Sequence, residues 1–115
     1  MEVSMNHTLP HHKLIAYQVA LEFLRVVHET RIQDAEQRGE ARKSAKSVVR
    51  NIAEGAGRWS RADKARVYAI ARGELCEACA AVEIAVAIGC ASAEDLAAVH
   101  ALGKRLSDLL GRLIG

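Results

Sequence analysis

A single proline, Pro10, stands in this chain, and none interrupts anything after it. Proline is the strongest helix breaker and alanine the best helix former, and alanine fills 21 of the 115 positions. That combination predicts helix nearly throughout, an all-α fold. The chain is sized for one core. Half of its residues are hydrophobic, yet only Tyr17, Phe23, Trp59 and Tyr68 are aromatic. So high an apolar fraction, with a formal net charge of only +2, argues against intrinsic disorder. No charge-free run approaches the roughly 20 residues of a membrane span, and no secretory signal pattern opens the chain. Three cysteines, an odd number, suit a reducing compartment better than a disulfide scaffold. The expectation is a soluble cytoplasmic protein.

Residues 1–10 carry no period and read as a flexible leader; residues 11–115 read as one domain of four helices. From about His12 to Arg31, Leu14, Tyr17, Leu21, Leu24 and His28 recur at steps of three and four, which places them on one helical face. Gln33 to Glu40 is polar and reads either as a connection or as the first turns of the next helix. Ala41, Ala45, Val48, Ile52 and Ala56 form a second stripe that stops at Gly55-Ala56-Gly57. Ser60 with Asp63 three residues on is a capping pattern, and it opens a long third helix reaching about Ile88. Ser92 with Asp95 repeats the pattern after Gly89. The fourth helix then aligns Leu96, Val99, Leu106, Leu110 and Leu113. Short connections imply antiparallel neighbours, hence an up-and-down antiparallel four-helix bundle.

The third helix has two apolar stripes where a bundle helix normally needs one. Tyr68, Ala71, Leu75, Ala78 and Val82 make the first; Val67, Ile70, Ala81, Ile84 and Ile88 make the second. Either it is the central helix of a broad core, or Ile70, Ile84 and Ile88 belong to an oligomer interface. The surplus favours the interface.

Charge is unevenly spread. Between Arg38 and Arg72 lie ten Lys/Arg against three acids, a net of +7, and the remainder carries −5. At 100° per residue, Arg38, Arg42, Lys43, Lys46 and Arg50 share an arc of about 140°, largely clear of the apolar stripe. Arg58, Arg61 and Lys64 follow at the turn. The surface is either a solvated face or one that contacts phosphates, with Arg42, Lys43, Lys46, Arg50, Arg58 and Arg61 as candidates. Single-strand binders usually add aromatic platforms, and only Trp59 stands near these cations, so backbone contact is favoured over base reading.

Other chemistry finds little support. Cys76-x-x-Cys79 lacks the second ligand pair that structural zinc requires, and among alanines these cysteines read as small buried side chains, with Cys90 similar. His7, His11 and His12 belong to the leader; His28 and His100 sit on or beside the helix stripes. No Glu-x-x-His pair offers a di-iron site. Glu54-Gly55-Ala56-Gly57-Arg58 is not followed by Gly-Lys-Ser/Thr and is no nucleotide loop. No catalytic residues, metal or cofactor are expected.

The segment Ser47-Val48-Val49-Arg50-Asn51-Ile52-Ala53-Glu54-Gly55-Ala56-Gly57-Arg58-Trp59-Ser60 resembles the hallmark of the 23S rRNA intervening-sequence protein family, S-I-x-x-N-I-A-E-G-x-G-R-x-S. Ile70-Ala71-Arg72-Gly73-Glu74-Leu75-Cys76-Glu77 resembles its second motif, I-A-x-G-S-L-x-E, with Glu74 in place of Ser. Leu14-Ile15-Ala16-Tyr17-Gln18-Val19-Ala20 is similar to its opening, L-x-V-W-Q-x-A. The usual Phe-Pro after the first helix is replaced by Gln33-Asp34-Ala35-Glu36. The family is similar to the accessory proteins of diversity-generating retroelements. The resemblance implies a four-helix bundle assembling as a cyclic homopentamer, with a basic surface that engages nucleic acid or a nucleic-acid enzyme, and no enzymatic activity.

Read physically, Asn51, Glu54, Gly55, Gly57, Ser60, Arg72, Gly73 and Glu77 are chiefly architectural or assembly residues, with direct ligand contact the alternative. Gly55 and Gly57 are expected to allow close approach and a left-handed helix stop. Ser60 caps, and Glu77 is placed to pair with Arg58, Arg72 or a neighbouring chain. The leading expectation is a non-enzymatic oligomer whose basic face binds RNA or DNA backbone, alone or with a protein partner. The alternative is a protein-interaction scaffold whose basic face docks an acidic protein.

Overall fold

The computed structural model describes residues 9–115. Residues 1–8 of the expected leader, His7 among them, lie outside that range, and Pro10 itself begins a 3-10 turn, Pro10–Lys13. Four α-helices follow: α1 (Ile15–Glu29), α2 (Ala35–Ala56), α3 (Arg61–Ala87) and α4 (Ala93–Ile114). Among the described residues there is no strand. Three of the helix starts are capped by a side-chain oxygen. Asp34 accepts from the Gln37 amide at 2.9 Å, Ser60 from Asp63 at 3.0 Å and Ser92 from Asp95 at 3.1 Å. The Asp34 cap settles the polar stretch after α1, which is a short connection and then helix from Ala35.

The ends are made differently. α3 closes with Gly89 at φ 79°, where the Cys90 amide donates to the Ala85 carbonyl at 2.7 Å and the Gly89 amide to Val86 at 3.0 Å. This is the paired-bond arrangement that a left-handed glycine permits. α2 does not end that way. Gly57 is right-handed (φ −85°, ψ −6°), so the expected left-handed stop there is absent. Lys64 reaches back from α3 instead and donates to the Ala56 carbonyl at 2.7 Å, satisfying a terminal acceptor.

The connections are short enough that successive helices run antiparallel. α1 packs on α2, α2 on α3, α3 on α4 and α4 back on α1, while the backbones of the diagonal pairs stay apart. The α2–α3 pairing is the most extensive. At one end the Gln33 amide donates to the Cys90 carbonyl at 2.9 Å, tying the first and third connections together; the α2–α3 turn lies at the other.

Ala41, Ala45, Val48, Ile52 and Ala56 are buried as expected, as are Tyr68, Ala71, Leu75, Ala78 and Val82 of α3 and Val99, Leu106 and Leu110 of α4. The face of α1 is different. Its buried residues are Ala16, Val19, Ala20, Phe23 and Val27, whereas Leu14, Tyr17, Leu21 and Leu24 flank the core and His28 is exposed. Both sets recur at steps of three and four, so periodicity admits either. The set containing two alanines and the only phenylalanine is the one its neighbours can approach closely. There Gly103 of α4 comes so near that a Cβ on it would lie 3.1 Å from the Cys79 Sγ and 3.6 Å from the Phe23 ring.

Gly55 performs the equivalent service between α2 and α3. A Cβ there would meet two ring atoms of buried Tyr68 at 2.8 Å. Gly39, on an exposed part of the same helix, has open space around it. Gly39→Ala should therefore raise stability by about 1 kcal/mol through helix propensity alone. Gly55→Ala, which must displace the Tyr68 ring, should lower it by about 1–3 kcal/mol less that same gain. Urea midpoints of the two variants, measured against the parent, should move in opposite directions.

Candidate nucleic-acid interface

The cations of α2 and the following turn divide into two groups. Those of the first group are occupied by the fold. Arg38 donates to the Ile32 carbonyl at 2.8 Å and Arg42 to the His28 carbonyl at 3.1 Å, so both satisfy acceptors at and just beyond the C-terminal end of α1. Arg42 is half-buried, and its Nε is buried without a partner among the described residues. Arg58 binds Glu54 at 3.2 Å and Asp63 at 3.4 Å; Asp63 in turn holds Arg66 at 2.9 Å. With the Ser60 cap and the Lys64–Ala56 bond, these contacts fix the α2–α3 turn. Each such exposed pair is worth little alone, about 0–1 kcal/mol, but together they order one short connection.

The second group is turned outward. Lys43, Lys46 and Arg50 are exposed on α2, and Arg61 is exposed at the start of α3. None has a hydrogen-bond or ion-pair partner among the described residues. On a helical wheel Lys43, Lys46 and Arg50 span about 60°, centred nearly opposite the Ala41–Ala45–Val48–Ile52 stripe. Burying that stripe against the core is what aims the three cations at solvent. Next to the Arg42 and Lys46 charges, and with some burial, the His28 imidazole titrates below its ordinary range; burial is the larger cause.

The motif residues are mostly internal fittings. Asn51 donates to the Ser47 carbonyl at 2.9 Å and to its hydroxyl at 3.1 Å. Glu54 holds Arg58, Gly55 seats Tyr68 and Ser60 caps α3. Glu77 lies not against Arg58 or Arg72 but against Glu74, the residue that replaces the usual Ser. The hydrogen bond that a protonated Glu77 carboxyl gives to Glu74, and then the Glu74 charge, push Glu77 above the ordinary range, while Lys43 opposes the shift. Gly73 is exposed with nothing near it, and Arg72 is exposed beside it. Ile70, Ile84 and Ile88 are 45%, 46% and 57% exposed, so the second stripe of α3 leaves them uncovered within one chain. The feature that sequence reasoning underrated is Trp59, which is 99% exposed in the turn.

Elsewhere, the His11 and His12 rings lie tilted against each other (centroids 4.4 Å apart), and His11 meets Tyr17 edge-to-face (4.6 Å). His100 of α4 reaches Glu83 of α3 at 2.8 Å. Among the described residues no three His, Cys, Asp or Glu side chains converge as metal ligands would, and no helix is long and apolar enough to cross a membrane.

These features define an all-helical protein whose main surface asset is a basic outer face beside an uncovered apolar stripe. The family model of the 23S rRNA-intervening sequence protein matches residues 12–112, and the chain belongs to that family. No curated protein matches it.

The cysteines depart from the expected pattern. Cys76 is exposed and Cys79 half-buried, so only the latter resembles a small core side chain. Burial, then the charge of Glu83, then Cys76, pushes the Cys79 thiol up to about 11. At pH 8 a maleimide should label Cys76 first and leave Cys79 largely unmodified until denaturant is added, with the sites read by peptide mass spectrometry.

Proposed function

We propose that this protein is a non-enzymatic, cytoplasmic helical oligomer whose outer α2 face binds RNA or DNA through the phosphate backbone. The observation that carries this reading is the row Lys43, Lys46 and Arg50, extended by Arg61. Each is exposed and unpartnered among the described residues, while neighbouring cations are consumed by the fold. Clustered cations release condensed counterions from phosphates and so supply affinity without reading sequence. The family's name, which ties it to intervening sequences of 23S rRNA, fits such a ligand. An oligomer would repeat the row around its ring, adding avidity on a long strand.

Lys43→Glu combined with Lys46→Glu should weaken RNA and DNA binding alike and flatten the slope of log affinity against log salt by roughly 1.5–2. Helicity and oligomer size should stay unchanged. If the unmodified protein shows no salt-sensitive retention of RNA or DNA in a filter assay at about 50 mM salt, where phosphate contacts are strongest, the face docks an acidic protein or only carries solvent.

The assembly rests on the uncovered stripe of α3. Ile70, Ile84 and Ile88 fall within about 40° on the helix, and Gly73 lies on the same side with no reason inside the chain for lacking a side chain. A homopentamer, the assembly that the family resemblance implies, has five times the 12.5 kDa of one chain. Light scattering should return a mass of that order; a monomer at micromolar concentration would refute it. Ile84→Glu or Ile88→Glu should dissociate the assembly, because each would place an unpaired charge in an apolar contact. Arg25→Glu, on the exposed side of α1, should not.

A further inference from the structure

Trp59 is the only tryptophan in the chain, and it is 99% exposed. Tryptophan is the side chain with most to gain from cover, so one left wholly in water marks a contact surface. The backbone that carries it is held in place. Arg58 before it is pinned to Glu54 and Asp63, Ser60 after it caps α3, and Lys64 fastens the end of α2. A turn so ordered loses little backbone freedom when a ligand covers the ring.

Its surroundings indicate the ligand. Lys43, Lys46 and Arg50 lie along one bearing of α2, and Gly57 falls on that same bearing at 100° per residue. At 1.5 Å per residue, Lys43 to Arg50 is about 10 Å along the axis and Arg50 to Gly57 about 10 Å more. The outward cations thus form a track that runs into the Trp59 turn, and Arg61 flanks it beyond. A track of cations ending at an open aromatic face combines the two elements of single-strand recognition: charge for the backbone and a flat ring for a base.

We propose that Trp59 is a stacking platform for an unpaired nucleobase, so that the strand on the basic face is single-stranded rather than duplex. This rests on the nucleic-acid reading of that face. Bases inside a duplex are already stacked on one another and offer no free face, whereas an unpaired base does. Stacking of this kind tolerates any base, which agrees with a surface that has few groups to read base edges.

The sole tryptophan is its own reporter. The full chain is titrated at low salt with single-stranded oligouridine and, separately, with a long blunt RNA duplex. Oligouridine should quench Trp59 emission, and the duplex should bind through the cations with little change. Trp59→Ala should weaken oligouridine binding by about fivefold to a hundredfold, and Trp59→Phe should retain most of it. The salt slope should be unaltered in both variants, because no phosphate contact is removed. Circular dichroism of the variants should match the parent, as an exposed side chain predicts.

Oligouridine binding that leaves Trp59 emission and the Trp59→Ala affinity unchanged would overturn this proposal while the basic-face reading stands. No salt-sensitive binding to either RNA would remove that reading and the proposal together. Shielding of Trp59 from acrylamide in the free protein would show it buried between copies, and quenching only by an acidic protein would make it a protein contact; either result overturns it.

Discussion

The ring of Tyr68 lies where a side chain on Gly55 would have to be, and that contact sets how closely α3 lies on α2. Small residues on both helices extend the close approach: Ala41, Ala45 and Ala56 on one, Ala71, Ala78, Ala81 and Ala85 on the other, all buried. With the two helices fixed at that spacing, Lys64 reaches the last carbonyl of α2, Arg58 reaches Asp63, and the turn between them is closed. The basic row and Trp59 are both positioned by this hairpin. Large side chains then complete the interior: Phe23, Ile52, Leu75, Leu106 and Leu110 are all fully buried, each worth roughly 1.5–3 kcal/mol of transfer free energy.

The cationic segment meets two different physical demands. A helix leaves carbonyls unsatisfied at its C-terminal end, and a bundle with short connections gives water little room to satisfy them. Arg42 and Lys64 answer that need at two helix ends, and Arg38 does the same for the Ile32 carbonyl in the α1–α2 connection. Lys43, Lys46 and Arg50 lie nearly opposite the apolar stripe of α2 and have no such task. Net charge therefore overstates the surface available to a ligand, and the division depends on which bearing each residue occupies around the helix.

α3 is the least amphipathic of the four helices; one chain buries its first apolar stripe and, of the second, Val67 and Ala81, but not the three isoleucines. Ile70, Ile84 and Ile88 remain in water, with Gly73 and the Glu74–Glu77 pair on the same exposed side. Two adjacent carboxylates in solvent repel at neutral pH, and the substitution of Glu for Ser at position 74 creates that repulsion here. The apolar residues at either end of this face and the charged pair between them make it a surface of mixed character.

Much of this was legible in the sequence because it depends on local rules. The helices follow from alanine content and the absence of proline after Pro10. Ser60 and Ser92 announced their caps by the acidic residue three positions on, and the stripes of α2, α3 and α4 followed from periodicity. The face of α1 was not legible, because two adjacent sets of apolar residues share the same period and only the fit of Ala16, Ala20 and Phe23 against neighbouring helices chooses between them. Nor was the right-handed Gly57, since the α2 end is completed by a lysine from another helix. The sequence by itself determined that the chain is helical, where α3 and α4 start, and that its cations cluster. Tertiary structure alone decided which cations are spent within the fold, that Cys76 is exposed while Cys79 is half-buried, and that Trp59 stands in solvent. Those outcomes depend on distances between residues far apart in the chain, and such distances exist only once the helices have packed.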